Sequence, residues 1–478
     1  MNFGQDMNAL KLDSVKSDSL HLSELVSAIS TALDMTEGQP IGHCVRSCWV
    51  GIHIGQEIGL NDHDLSELYY MILLKDLGCS SNAARICQLY LTDDQKFKHD
   101  FKKINGSLPQ ALRFVLSHTG LQASLSERFQ AIIKILQEGG EIARELIETR
   151  CHRGAEIALK MRFSQKVADG ILNLDERWDG KGLPAGVSGM DIPVFARQAL
   201  LSQVVDVFHT SDGRHAALEE VRSRSGTWFE PDMVAAFERI AVQDKFWEEL
   251  NNPDLESIIQ NLIFPTHDVT VDEDYLDDIA AAFAKVIDAK SPFTHGHSER
   301  VMGYSDLIAQ QMGVPDHKRR WLKRAALLHD IGKLGISNSV LDKPGKLTDE
   351  EFAMIKMHPV FSVNILKNIT AFSDISPIAG GHHERLDGKG YPNGLHGNEI
   401  DMETRIVTVA DIFDALTADR PYPAAMPIEK AISIMDDMVD SAIDSQCYKA
   451  LKSVLKEIAR LNSSLQDTLA RAGVKETV

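Results

Sequence analysis

The run Ala325 to Lys333 passes from an apolar helical stretch into His329-Asp330 and ends on Gly332-Lys333. An imidazole beside a carboxylate offers one nitrogen to a divalent ion and two oxygens that can bridge that ion to a second. Further ligands for such a pair stand at His297, His358, His382, His383 and Asp411. Mixed nitrogen and oxygen donors suit iron, manganese or zinc rather than the all-oxygen cages of calcium or magnesium. A single histidine on a helix is ordinarily a structural hydrogen bonder. Burying five imidazoles and two carboxylates together without an ion carries a large desolvation penalty, which favours a metal centre.

Downstream lies a second chemistry-bearing stretch, Gly381-His382-His383-Glu384 followed by Asp387-Gly388-Lys389-Gly390-Tyr391-Pro392. With His297 and Arg300, His329 through Lys333, His358-Pro359 and Asp411 through Arg420-Pro421-Tyr422, these residues follow one family order. The segment from about Tyr275 to Tyr422 resembles the HD-GYP family, phosphohydrolases that linearise cyclic dinucleotides. The resemblance implies two divalent ions, iron or manganese foremost. The first would be held by His297, His329, Asp330 and Asp411, and the second by Asp330, His358, His382 and His383, with Asp330 bridging. A water shared by two such ions loses a proton near neutral pH and can attack phosphorus, so no side-chain nucleophile is required. Asp330 and Lys333 are then the catalytic side chains, Lys333 stabilising charge on the phosphoryl group. Arg420 is a second phosphate contact by resemblance, and a guanidinium fork fits a pair of non-bridging oxygens. Gly390 and Tyr391 belong to the loop that shapes the substrate pocket. Phe293, where some family members carry a third-metal Glu, favours two ions. His295, His317 and His396 match no ligand position and are expected at the surface.

These residues need helices to hold them, and the chain supplies helical periodicity almost throughout. Leu22, Leu25, Val26, Ile29 and Leu33 mark one face, and Val50, Ile54, Ile58 and Leu65, Leu68, Ile72 mark others. Strand-like alternation does not persist, so the fold is expected to be all-α. An internal repeat is also legible. His43 and Arg46 align with His297 and Arg300, Gly59 with Gly313, and Lys75-Asp76-Leu77-Gly78 with His329-Asp330-Ile331-Gly332. After a longer insertion, about 80–140, Glu176 and Asp179 to Pro184 align with Glu384 and Asp387 to Pro392. Asp206 is then set against Asp411.

The first repeat has lost most of the ligands. Lys75 stands for His329, Cys79 for Lys333, Arg150 for His358, Leu174 and Asp175 for His382 and His383, and Leu183 for Tyr391. Only His43, Asp76 and Asp206 remain as candidate ligands, too few for two ions. Lys75 and Arg150 bring positive charge to carboxylates that have lost their metals, so ion pairs are expected there. The domains are expected as a tail over 1–20, a degenerate regulatory HD-like domain over 21–264, a catalytic domain over 265–450 and a C-terminal helix over 451–478. The boundary falls near Pro265, in a connection from about 241 to 274 containing one short helix. In the last segment Leu451, Leu455, Ile458, Leu461, Leu465 and Leu469 recur at near-heptad spacing, for packing on its own domain or for a homodimer seam.

With 478 residues and a net charge of -19, the chain can bury two or three cores but presents no clustered basic surface for coating DNA. A small dianionic substrate remains allowed, met locally by ions and a few basic groups. No stretch approaches a membrane span and no signal-peptide core is present, so the expected location is the cytoplasm. The six cysteines form no C-x-x-C pair and read as small buried thiols. The expected function is metal-dependent phosphodiester hydrolysis of a cyclic dinucleotide. By resemblance to the family's vestigial-plus-active members, 3'3'-cyclic GMP-AMP opened to linear pApG stands slightly ahead of cyclic di-GMP opened to pGpG. The other readings are a signalling adaptor that binds dinucleotide through the degenerate repeat, and a nucleotide triphosphohydrolase, which the Gly390-Tyr391-Pro392 motif disfavours.

Overall fold

The computed structural model of the chain describes residues 20–104, 107–264, 269–418 and 425–471, with side chains described through Arg460. The expected tail, the Pro265 boundary, Arg420 and the side chains of Leu461, Leu465 and Leu469 therefore lie outside the described residues. The first repeat comprises α1 (Leu22–Thr36), α2 (His43–Glu57), α3 (Asp62–Leu74), α4 (Ala83–Tyr90), α5 (Asp94–Phe101), α6 (Leu108–His118), α7 (Leu125–Lys160), α8 (Gln165–Leu172), α9 (Val194–Ser223) and α10 (Pro231–Ala241). Two helices rather than one make the connection, α11 (Asp244–Leu250) and α12 (Leu255–Ile263). The second repeat comprises α13 (Glu273–Asp288), α14 (His297–Gln311), α15 (Asp316–Leu328), α16 (Asn338–Leu341), α17 (Asp349–Ile355), α18 (His358–Leu366), α19 (Ser376–Gly381), α20 (Met402–Thr417), α21 (Ile428–Asp436) and α22 (Ser445–Arg471). Among the described residues, extended pairing is limited to isolated bridges such as His21 with Thr270.

The repeat extends to atomic detail. Gly42 at φ 85° and Gly296 at φ 66° adopt the left-handed turn that delivers His43 and His297 to the first positions of α2 and α14. Behind each, a buried acid accepts from the start of the helix: Asp34 Oδ1 from the Cys44 N–H at 3.0 Å, and Asp288 Oδ2 from the Ser298 N–H at 3.2 Å. The two repeats share one apolar core. Each repeat's first helix crosses to the other: α1 packs on the turn after Asp330 and on α18, while α13 packs on α7 and the turn after Asp76. Ile29 of α1 meets Phe283, Leu328, Ile331 and Leu366 there. α22 begins at Ser445, so the expected border at residue 451 falls inside a helix whose Cys447, Tyr448 and Leu451 are buried, with the helix packed on α14 and α20 of its own repeat.

The insertion accounts for the main asymmetry. Between Cys79 and Arg150 lie 70 residues, against 24 between Lys333 and His358. The extra chain forms α4, α5, α6 and the start of α7, around a small separate cluster of Ile86, Phe97 and Phe114. Asp94, at the start of α5, reaches the second repeat. Its carboxylate pairs with Lys290 Nζ at 3.0 Å and accepts from Ser337 Oγ at 2.9 Å and the Asn338 N–H at 2.8 Å.

Candidate metal centre

α15 turns apolar only in its last turn, from Ala325 to Leu328, and there delivers His329 and Asp330 to the buried end of the helix, where a 3-10 turn, Ile331–Gly335, follows. That turn is seated on the first turn of α18. The Ser362 hydroxyl donates to the His329 carbonyl at 3.0 Å and accepts from the Gly332 N–H at 2.9 Å. His329, Asp330 and His358 are thereby brought together by backbone contact.

Asp330 faces two ways. Its Oδ2 lies 3.5 Å from His297 Nε2 and 3.3 Å from His329 Nε2, while Oδ1 lies 3.4 Å from His358 Nε2 and 3.6 Å from His382 Nε2. Asp411 Oδ1 closes the first group, 3.3 Å from His297 Nε2 and 4.0 Å from His329 Nε2. His383 closes the second, its ligand atom converging with those of His358 and His382. The structure thus brings all seven residues expected from sequence into one buried cluster, in which His382 converges with His329 and Asp411 as well as with His358 and His383.

The opposite nitrogens are already engaged. His329 Nδ1–H donates to the Ala326 carbonyl at 2.7 Å, His358 Nδ1–H to Ile355 at 2.6 Å and His382 Nδ1–H to Ala379 at 2.8 Å. Since carbonyls only accept, each ring carries its proton on Nδ1 and aims an Nε2 lone pair inward. His297 Nδ1 instead bonds Asp414 Oδ2 at 2.7 Å, and Arg300 Nε donates to Asp414 Oδ1 at 2.6 Å. Asp414 was missed in the sequence; it lies three residues after Asp411 on the same face of α20, a spacing that could have marked it. His297 Nε2, His329 Nε2 and Asp330 Oδ1 are buried with no well-aligned hydrogen-bond partner among the described residues. Orphaned donors aimed at one point fit a pair of cations.

Electrostatics agree with that fit. Burial pushes the His358 imidazole down to about 3, helped by Lys333 and His382, and burial with His382 holds His383 well below the usual range, so both rings are neutral at neutral pH, the state a metal ligand needs. Burial works against charge on His297, but Asp330, Asp411 and Asp414 outweigh it and hold its pKa well above normal. Asp330 resists the same burial penalty through Lys333 and His329 and stays ionised. The pocket therefore favours positive charge.

Lys333 lies on the 3-10 turn with its Nζ against Asp330 Oδ2, at the mouth of the site. Tyr391 stacks on His383, centroids 4.8 Å apart, and burial pushes its phenol above the usual range, so it stays protonated. Glu384 fixes the loop beneath, accepting from the Asn393 N–H at 2.6 Å and the Leu395 N–H at 3.0 Å. Gly390 lies against backbone: an added Cβ would sit 2.4 Å from Arg385 N, so this glycine shapes the loop. His295, His317 and His396 are exposed, as expected.

The first repeat repeats the scaffold without the ligands. A Cβ on Gly78 would lie 1.8 Å from the Arg150 carbonyl oxygen, matching 1.9 Å between Gly332 and His358, so Arg150 occupies the place of His358. Arg150 pairs with Asp175, and Lys75 with Asp76. Asp206, however, is not the counterpart of Asp411. It accepts from His43 Nδ1 at 2.7 Å and from Arg46 Nε at 2.6 Å, the contacts Asp414 makes with His297 and Arg300. The aligned position for Asp411 is Gln203, which leaves His43 and Asp76 as the only survivors of the ligand set. Glu37, Asp76 and Cys79 also converge, but Lys98 and Lys102 reach Glu37 at 3.4 and 3.2 Å and burial keeps the Cys79 thiol protonated. Ammonium groups, two of them from the insertion, meet the charge of these buried acids. Burial, reinforced by Lys75, pushes His43 down to about 4.

The HD domain family model matches residues 130–232 and 281–447, one segment in each repeat. The 3'3'-cGAMP-specific phosphodiesterase 3 of Vibrio cholerae is 49% identical over 442 residues, covering 92% of this chain and 96% of that protein. The 3'3'-cGAMP-specific phosphodiesterase 1 of the same organism is 34% identical over 51% of this chain and 57% of its own. A cyclic di-GMP phosphodiesterase of Thermotoga maritima is 38% identical over 39% of this chain and 51% of its own. The crystal structure of the V. cholerae cyclic GMP-AMP phosphodiesterase V-cGAP3 superposes with a TM-score of 0.63 at 45% identity, covering 92% of this chain and 98% of that one.

Proposed function

The chain belongs to the HD-domain family, in its HD-GYP branch of cyclic dinucleotide phosphodiesterases, and we propose that its second repeat alone carries the catalytic centre. The activity is metal-dependent hydrolysis of a phosphodiester in a cyclic dinucleotide. One observation carries the placement: Asp330 turns its two oxygens to two separate imidazole pairs.

His297, His329, Asp330 and Asp411 would hold one ion, and Asp330, His358, His382 and His383 the other. When bound, the pair supplies Lewis acidity at phosphorus and activates water. The protein contributes the rest. The carbonyls of Ala326, Ile355 and Ala379 hold three imidazoles in the ligating tautomer, and Asp414 orients the fourth. Lys333 presents N–H donors at the mouth to a non-bridging phosphate oxygen and to the charge developing there. Arg420 would add a second phosphate contact, and Tyr391 a wall of the base pocket. Iron or manganese is the expected metal for this donor set.

Identity of 49% across nearly the whole length supports 3'3'-cyclic GMP-AMP as the preferred substrate, giving linear pApG, over cyclic di-GMP. The ion pairs filling the first repeat speak against an adaptor that binds dinucleotide there. The net charge of -19 speaks against DNA as a partner, and no helix among the described residues is long and apolar enough to cross a membrane, in keeping with a cytoplasmic enzyme. The test is to load the full chain with Fe(II) or Mn(II), incubate it with each cyclic dinucleotide separately and weigh the products. Faster conversion of 3'3'-cyclic GMP-AMP to pApG is expected; no linear product from any of them would overturn the reading.

A further inference from the structure

We propose that the insertion of the first repeat is a homodimer interface, in which α6 and the N-terminal half of α7 pair with the same helices of a second copy about a two-fold axis. The inference stands apart from the catalytic reading, because it rests on a surface outside the metal centre.

Leu125, Phe129 and Leu136, with the half-buried Ile132 between the last two, follow one another along α7 at spacings of four, three and four, Ile133 is exposed beside them, and Leu108 and Leu112 continue the pattern on α6. Leu108 is 86% exposed, Leu125 84% and Phe129 65%. These residues are not the core-facing side of their helices, since Phe114 of α6 and Ile135 of α7 are buried there. The insertion's helices thus have two apolar faces, and one is unpartnered among the described residues. At about 150 Å² for a fully exposed side chain of this size, the stripe comes to about 500 Å². That is the upper part of the ~300–600 Å² of the largest patch on a typical monomer, and with a polar rim it approaches the ~800 Å² per partner of a standard interface.

The pattern also selects the occupant. A four-three-four repeat is a seam for knobs-into-holes packing against another helix, and an identical helix supplies the matching seam. The flanking charges are of both signs, Arg113, Arg128 and Lys134 against Glu127 and Glu138, so a two-fold partner can pair acid with base. A lipid surface would call for a basic rim, and a chain of net charge -19 is repelled by anionic headgroups. The catalytic repeat lacks the segment, so the HD scaffold does not need the stripe for its own core.

The experiment is sedimentation velocity on the full chain across a concentration series. The expected species has twice the 53.0 kDa chain mass, and a Leu112→Glu, Phe129→Glu double variant is expected to sediment as a monomer with unchanged helical circular dichroism. A wild type that is monomeric throughout, or a folded double variant that remains dimeric, overturns the proposal. Should the charges unfold the hairpin, a benzophenone amino acid in place of Phe129 decides: ultraviolet crosslinking to a covalent dimer supports the seam, and monomer alone refutes it. Monomeric wild type that floats with phosphatidylglycerol vesicles would assign the stripe to a membrane and likewise overturn it.

Discussion

A Cβ added to Gly332 would lie 1.9 Å from the carbonyl oxygen of His358. The turn that carries Asp330 and Lys333 can touch the start of α18 only because this residue has no side chain. Gly332→Ala should therefore part the two ligand groups and cost about 3 kcal/mol, the upper end for overpacking, because backbone rather than a flexible side chain must yield. Thermal melting together with bound metal per chain checks this; an unshifted melt with full metal content would mean that the contact is slack.

Asp414 orients His297, a proposed ligand, and lies outside the proposed ligand set itself. Asp414→Asn keeps the shape but removes the charge that His297 Nδ1 and Arg300 share, and a loss of roughly 10–100-fold in metal affinity or activity is expected. Metal titration against a competing chelator reads the affinity. Asp206→Asn makes the same change at the same position in the first repeat, and its metal affinity should match wild type.

Lys333 is expected to act on the reaction rather than on metal retention. Lys333→Met should lower kcat by about 10²-fold or more, the scale for removing one preorganised donor, while both ions stay bound. A variant that loses activity and metal in parallel would recast Lys333 as a support for Asp330.

The contact between the repeats carries a pH signature. Burial alone would raise Asp94, but Lys290 and Lys98 outweigh it and bring its pKa from 3.8 down to about 2. A depressed carboxylate stabilises the fold fully above its unfolded value near 3.8, and that contribution fades as pH falls through about 2. Its size is about 2 kcal/mol. The stability gap between wild type and Asp94→Asn, measured by denaturant unfolding, should be wide at pH 6 and narrow by that amount toward pH 2. A gap independent of pH would remove Asp94 from the account.

The candidate ligand set was legible because it is written in residue types at short, ordered spacings: His329-Asp330, His382-His383 and the surviving His43 and Asp76 of the weaker copy needed only comparison along the chain. The all-helical fold followed from periodicity. Asp206 was set three residues out of register because Val-Asp-Val-Phe and Ala-Asp-Ile-Phe look alike. The constant spacing from Glu176 to Asp206 and from Glu384 to Asp414 was the better guide, and only the shared hydrogen bonds to His43 and His297 made it decisive. The crossing of α1 and α13, and the reach of Asp94, Lys98 and Lys102 out of the insertion, depend on contacts between residues far apart in sequence. No period records those.

One repeat is expected to hold two ions about Asp330 and the other none. Metal per chain, measured by elemental mass spectrometry on the purified full-length protein beside Asp330→Ala and His43→Ala, tests it directly. The expected values are two ions for wild type and for His43→Ala, and none for Asp330→Ala. Ions retained by Asp330→Ala, or one lost from His43→Ala, would contradict it.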